Sequence, residues 1–231
     1  MDTSQLAVVI AAYNEGDRIA ATVGALSLAF PGAKIFVADD GSSDDTAARA
    51  AQAGAEVVSS GRMIGKGGAA TLGAQAALLT EPQLVLLCDG DLAASAAALG
   101  VLLSAVESGD GDLAVARFAR KVGGGFGLAV GFARWAINNL VGLELAAPIS
   151  GQRAVRADVL AAVLPFAPRF GMEIGMTVDA TRAGYSVIEV EVDLEHRATG
   201  RSWRGFAHRF RQLLDFVAVW FSRRLRNRFA Q

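Results

Sequence analysis

Asp89 and Asp91 stand two residues apart across Gly90, directly after an apolar run of strand length at residues 84–88. Where a buried strand ends the backbone turns, and two carboxylates spaced i, i+2 over a glycine can aim at one point in solvent. Hard oxygen donors of this kind suit Mg²⁺ or Mn²⁺, ions commonly shared with substrate phosphates. The same residues also make an ordinary polar turn, so the pair gains meaning only from its company. That company is Asn14 and Glu15 after residues 6–12, Asp39 and Asp40 after residues 34–38, and Lys66 inside the glycine-rich run 61–68. Carboxylates suit ribose hydroxyls and base N–H groups, and Asp40 could accept from either. A lysine on a glycine loop before a helix could meet a phosphate.

Such residues need a scaffold that ends several strands along one edge. Apolar stretches at residues 6–12, 34–38, 56–59 and 84–88 read as buried strands. Helical stretches run between them to about Phe30, onward from Ser43 or Asp44 as N-cap, to about Leu79, and over residues 93–106. This rhythm describes an α/β fold, a Rossmann-like, mainly parallel sheet with helices on both faces. Its functional groups belong at the carboxyl ends of the strands. Further on, residues 112–117 read as a strand, 120–127 as a basic glycine-heavy loop expected to move, and 128–141 as a helix. Residues 148–153 open a short strand and helix, 172–182 form another helix, and 186–194 alternate as a strand. No repeat or linker divides this, so residues 1–202 are expected to form one domain and 203–231 a C-terminal appendage.

At 231 residues and 52% hydrophobic content the chain can bury a sizeable core. The single Cys88 excludes an intrachain disulfide framework and reads as a small buried hydrophobe. No signal-peptide pattern and no run of about 18 apolar residues is present. A cytoplasmic location is the expectation, with attachment to the inner membrane face. The net charge of −1 conceals an asymmetry, because nine arginines and one acid, Asp215, follow Glu195. A basic tail on an acidic body implies an anionic surface or partner.

Two nucleotide signatures are excluded. Gly61, Gly65 and Lys66 have the wrong spacing for a Walker A loop, and Gly67 stands where Ser or Thr would be required. The first strand turns through Ala-Ala-Tyr-Asn, without the glycines that let a pyrophosphate approach a dinucleotide-binding helix.

Four segments in order, Ala-Tyr-Asn-Glu (12–15), Asp-Asp-Gly-Ser (39–42), Gly-Lys-Gly-Gly-Ala (65–69) and Asp-Gly-Asp (89–91), together resemble the GT-A fold glycosyltransferases of family 2. The resemblance implies that Ala12, Tyr13, Asn14, Glu15 and Asp40 hold the donor base and ribose, with Lys66, Asp89 and Gly90 on the donor as well. It implies that Asp89 and Asp91 hold the metal and diphosphate, with the ion as Lewis acid on the departing diphosphate. Ser150, Gln152 and Arg153 resemble the Ser-Gly-x-Arg segment lining the acceptor side. His196, Arg197, Arg201 and Ser202 resemble a segment of the dolichyl- and polyprenyl-phosphate sugar synthases in which the arginine meets phosphate. Gly171-Met172-Glu173 with His196 is also similar to the glucosyl-3-phosphoglycerate synthases, where a downstream His completes the metal site. His196 therefore reads either as a structural residue or as a third ligand.

Many inverting members carry a Glu-Asp base where this chain has Met172-Glu173. A phosphate monoester acceptor is already anionic and needs no base; a hydroxyl acceptor would, and Glu173 is then the candidate. Its alternative is a helix N-terminal acid favoured by the macrodipole.

In the appendage, Trp203, Phe206, Phe210, Leu213, Leu214, Val217, Trp220 and Phe221 recur at helical spacing among arginines. Such a helix can lie in an anionic membrane interface, or dock on its own domain or on a second subunit as a homodimer. No nucleic-acid recognition motif is present. The leading expectation is a metal-dependent transferase moving sugar from a UDP- or GDP-sugar to a polyprenyl phosphate. Behind it stand a soluble enzyme acting on a small phosphorylated acid such as 3-phosphoglycerate, a sugar nucleotidyltransferase, and a non-catalytic nucleotide-binding module.

Overall fold

The computed structural model describes residues 3–118, 127–193 and 203–229, with side chains throughout except at 203–210 and 226–229. Seven strands form one sheet in the order β3-β2-β1-β4-β6-β5-β7. They are β1 Leu6–Ala12, β2 Lys34–Asp39, β3 Glu56–Ser59, β4 Leu84–Asp89, β5 Leu113–Phe118, β6 Arg153–Arg156 and β7 Val187–Val192. All run parallel except β6, which lies antiparallel between β4 and β5. The strands that carry the candidate residues, β1, β2 and β4, are therefore adjacent and end on the same edge.

The helices are α1 Ile19–Ala29, α2 Thr46–Gln52, α3 Lys66–Leu78, α4 Gly100–Glu107, α5 Leu128–Val141, α6 Ala157–Val163, α7 Met172–Arg182 and α8 Trp203–Phe229. Successive strand side chains point to opposite faces, and both faces of this sheet are covered. Val8, Ile10, Leu86 and Cys88 pack with Ile19, Val23 and Leu26 of α1 and Leu102, Leu103 and Val106 of α4. Val9, Val85 and Leu87 pack on the other face with the alanines of α3, Val159 and Leu160 of α6, and Met172 and Met176 of α7. The small residues of α3 let it approach β1 and β2 closely; a Cβ on Gly73 would lie 2.9 Å from Val9 Cγ1 and Ala38 Cβ.

Two expected elements shift. The helix expected at 93–106 divides into a 3-10 turn, Ala93–Leu99, and α4, with the small side chains of the turn lying against α1. The helix after the second strand starts at Thr46 with Asp45 as its cap, later than expected. The Asp44 carboxylate still accepts the Thr46 amide at 3.0 Å. The loop expected at 120–127 lies outside the described residues up to 126.

Helix α8 docks on its own domain. Phe216 and Val219 join Ala133 and Ile137 of α5 and Ile174 and Val178 of α7 in a third apolar cluster. Burying one such phenylalanine contributes about 2 kcal/mol. Arg223, almost fully buried, pairs with Asp179 of α7 at 2.6 Å. Among the described side chains of α8 the buried ones are Phe216, Val219 and Arg223, none of them in the predicted stripe, and Asp179 gives Arg223 a partner on the inner side. Leu214, Phe221 and Leu225 are left at the surface. Among the described residues no helix is long and apolar enough to cross a membrane.

Candidate active site

The end of β4 is held by α1, which lies across its turn. Gly90 N–H donates to the Ala11 carbonyl at 3.0 Å, anchoring the turn to β1. Thr22 Oγ1 donates to the Gly90 carbonyl at 2.8 Å and accepts the Ala93 amide at 2.8 Å. Arg18 Nη1 donates to the Asp91 carbonyl at 3.1 Å. Three backbone groups of the Asp-Gly-Asp turn are thereby satisfied by groups outside it, which leaves its two carboxylates to act elsewhere.

Asp89 faces a cluster drawn from three other parts of the chain. Lys66 Nζ, at the first residue of α3, lies 2.7 Å from Asp89 Oδ1 and 2.8 Å from Glu173 Oε1 at the start of α7. Gln152 Nε2 donates to Asp89 Oδ2 at 2.8 Å, while its Oε1 accepts from Ser150 Oγ at 3.1 Å. The pairing of β6 with β4 places Arg153 opposite Leu87 and so brings Gly151 and Gln152 beside the carboxyl end of β4. A Cβ on Gly151 would lie 2.7 Å from Asp89 Oδ2 and 2.8 Å from Lys66 Nζ, so a larger residue here would push both side-chain ends aside.

The cluster is uneven in exposure. Glu173 is 4% exposed, whereas the side chains of Lys66 and Asp89 are 21% and 27% exposed. Burial by itself would lower the Lys66 ammonium, but Asp89 and Glu173 outweigh it and hold the group charged, well above its ordinary value. Burial pushes the Cys88 thiol far up, in keeping with a small hydrophobe. No described side chain bonds the Asp91 carboxylate, and no group of three or more His, Cys, Asp or Glu assembles a complete metal site among the described residues. His196, Arg197, Arg201 and Ser202 lie outside the described residues.

Several of the residues expected at the donor also brace loops. Asp40 Oδ1 accepts the amides of Ile64 and Gly65 at 2.7 and 2.8 Å and so fixes the glycine loop before Lys66. Asn14, at φ 55°, accepts the Ser43 amide on Oδ1 at 2.8 Å and donates its own amide to Ser42 Oγ at 2.9 Å. Gly41 takes φ +72°, and a Cβ there would also sit 2.6 Å from the Arg62 carbonyl carbon, so both conformation and space require glycine. Glu15 donates its amide to Thr46 Oγ1 at 2.8 Å, Ala12 is buried at the end of β1, and Tyr13 is exposed beside it.

Arg153 departs furthest from expectation. It is 0% exposed, and its guanidinium donates to the carbonyls of Ser150 and Pro148 and to Thr177 Oγ1. Burial pulls it down to about 10, against the opposing effect of Glu173. As placed, it holds the Pro148 and Ser150 carbonyls of the preceding segment from within the protein. The expectation missed Arg18 and Thr22, whose roles appear only once α1 is set against β4; Gly151 stood only as the glycine of the Ser-Gly-x-Arg segment, and its closeness to Asp89 appears once β6 is in place.

A mainly parallel sheet with acids at three neighbouring strand ends and a lysine-bearing glycine loop among them defines the GT-A class. The chain belongs to glycosyl transferase family 2, whose family model matches residues 7–157. It is 33% identical over 223 residues to a glucosyl-3-phosphoglycerate synthase of Mycolicibacterium paratuberculosis, covering 83% of this chain and 65% of that protein, just under two thirds of its length. It is 30% identical over 210 residues to an undecaprenyl-phosphate mannosyltransferase of Micrococcus luteus, covering 84% of this chain and 85% of that one. The crystal structure of glucosyl-3-phosphoglycerate synthase from Mycobacterium tuberculosis in complex with Mn²⁺, uridine diphosphate and phosphoglyceric acid superposes with a TM-score of 0.77 at 25% identity. That match covers 96% of this chain and 80% of the other.

Proposed function

We propose that this chain transfers a sugar from a nucleotide-diphosphate donor to a phosphorylated acceptor, and that the acceptor is a polyprenyl phosphate met at an anionic membrane face. The observation that carries the reading is the carboxylate pair on β4 with Lys66 beside it. Asp89 lies beside the Lys66 ammonium, and Asp91 follows on a turn whose backbone is already satisfied. Two hard oxygen donors, one of them bonded by no described side chain, fit Mg²⁺ or Mn²⁺. An ion bound there would supply a Lewis acid for the departing diphosphate. The donor base and ribose fall to the β1 and β2 ends, where Tyr13 is exposed and Asp40 and Asn14 hold the loops in shape. Arg197 and Arg201 are assigned to phosphate contacts, Ser202 to the same segment, and His196 to a third metal position.

Glu173 favours a phosphate over a hydroxyl acceptor. Its carboxylate is engaged with Lys66 at 2.8 Å and is nearly buried, a poor arrangement for a base that must collect a proton from an incoming alcohol. A phosphate oxygen needs no such help. The outer face of α8 supports the membrane half of the reading. Phe221 is 54% exposed, Trp135 of α5 is 49% exposed, and Trp220 stacks on Trp135 with centroids 5.2 Å apart. Arg224 lies 5.0 Å over the Trp220 ring, and aromatic rings rimmed by arginines suit the headgroup region.

Similarity to the phosphoglycerate synthases supports a second reading, a small phosphorylated acid as acceptor. A panel of UDP- and GDP-sugars with polyprenyl phosphate in one arm and 3-phosphoglycerate in the other, read by product mass, tests both. A glycolipid product is expected; glycosylated phosphoglycerate alone would replace the leading reading with the second. Release of no nucleoside diphosphate with any donor would sink both. Phe221→Ser together with Leu225→Ser should release the protein from anionic vesicles. A full chain that never sediments with such vesicles defeats the membrane claim.

A further inference from the structure

Lys66 holds two partners of different kinds. Glu173 is almost wholly buried, and a buried carboxylate without a partner is strongly unfavourable. Asp89 lies on the open side of the ammonium, also takes a hydrogen bond from Gln152, and leads through Gly90 to Asp91. An ammonium has three donors in a flexible head, and the two carboxylates use two of them. One partner must therefore be kept, one can be released, and a donor remains.

We propose that Lys66 is a built-in stand-in for the divalent cation. Without metal its ammonium holds Asp89; when a cation occupies Asp89 and Asp91, Lys66 lets go of Asp89 Oδ1, stays on Glu173 and turns its other donors to the diphosphate. The inference rests on Asp89 and Asp91 being the cation's ligands. Its physical basis is competition: two positive charges drawn to one carboxylate repel each other in a site only partly open to water. A cation alone has to displace the ammonium and tolerate it nearby. A cation arriving with a diphosphate does not, because the phosphate oxygens neutralise both positive charges together. Binding of the two ligands is then mutually reinforcing, and by linkage each strengthens the other equally.

The stand-in predicts opposite signs for one substitution. In calorimetric titrations Lys66→Met should bind Mn²⁺ alone about tenfold more tightly than the unaltered chain, a change of ~1.4 kcal/mol. The same variant should bind UDP in the presence of saturating Mn²⁺ at least tenfold more weakly, on the order of the same energy. Because Lys66→Met strands Glu173, Lys66→Met with Glu173→Gln provides the same comparison without a lone buried charge, its folding checked by thermal melting. Unchanged or weaker Mn²⁺ binding in both variants overturns the stand-in. Failure of the underlying site looks different: Asp89→Asn with Asp91→Asn would then bind Mn²⁺ and UDP as tightly as the unaltered chain.

Discussion

Thr22 of α1 holds the Gly90 carbonyl and the Ala93 amide on one hydroxyl, both at 2.8 Å. A side chain in the middle of an otherwise apolar helix face thus sets the path of the turn between the two carboxylates. Replacing it by valine keeps the volume and removes both bonds. Thr22→Val should cost about 1–3 kcal/mol in urea unfolding, as buried backbone groups lose their partners. Mn²⁺ affinity should fall with it, and Thr22→Ser should restore most of both. Full affinity in the valine variant would show that the turn holds its shape without α1.

Gly151→Ala tests how tightly the segment before β6 closes on the cluster. The added methyl would meet Asp89 Oδ2 and Lys66 Nζ at 2.7 and 2.8 Å, and both are ends of side chains that can move. The fold should therefore survive, with the melting temperature little changed, while nucleotide and metal binding drop by tenfold or more, ~1.4 kcal/mol. An alanine variant that binds donor normally would show that the cluster opens on its own.

The interface between α7 and α8 offers a packing test. A Cβ on Gly171 would lie 2.1 Å from Val219 Cγ2, so Gly171→Ala should cost roughly 1–3 kcal/mol through overpacking. Val219→Ala should also destabilise, by loss of buried surface. The double variant should be more stable than the sum of the two losses predicts, a coupling that denaturant titration of all four chains measures. Simple additivity would mean that α8 does not seat on Gly171.

At the far edge of the sheet, Asp112 ties the start of β5 to the start of β7. Its Oδ2 accepts the Ser186 amide and hydroxyl, both at 2.8 Å, and Oδ1 pairs with Arg156 at 3.0 Å. Those Ser186 bonds, then Arg156, hold its carboxyl below the ordinary range. A depressed native value means stability that is present above the unfolded pKa of about 4 and lost as pH falls through the native one. Asp112→Ala should therefore cost about 1–2 kcal/mol near neutrality, as charge-assisted bonds are lost. The gap should narrow steadily below pH 4 in thermal melts. A gap that stays constant to pH 3 would contradict the assignment.

The strands were readable because β1, β2 and β4 are short apolar runs that each end in an acid or asparagine, and a parallel sheet buried on both faces requires that pattern. The meeting of Lys66 with Asp89 was not readable, because it depends on how the glycine loop lies over the sheet. Nor was Glu173 as the second partner of Lys66, since the helix that carries it follows more than a hundred residues later in the chain, beyond β6. Arg153 read as a ligand residue because the Ser-Gly-Gln-Arg segment at 150–153 resembles one that lines the acceptor side. Its register opposite Leu87 turns it into the protein, where Thr177 and two carbonyls receive it. In the tail, helical spacing pointed to one apolar stripe, and the partner that Asp179 offers Arg223 on the inner side was not legible from it.

Because β6 runs against its neighbours, the chain approaches the sheet from the catalytic side, and the segment 142–152 is in place before the strand begins. Within that segment Glu189 holds the Ala146 and Ala147 amides, Arg153 holds the Pro148 and Ser150 carbonyls, and Gln152 bonds Asp89, so residues 146–152 arrive at fixed spots while 142–144 carry none of these bonds. Exchange between relatives should therefore be tolerated at 142–144, ahead of those anchors, and should disturb the Asp89 cluster once it reaches Gly151 or Gln152, a division that the lone reversed strand makes physically available.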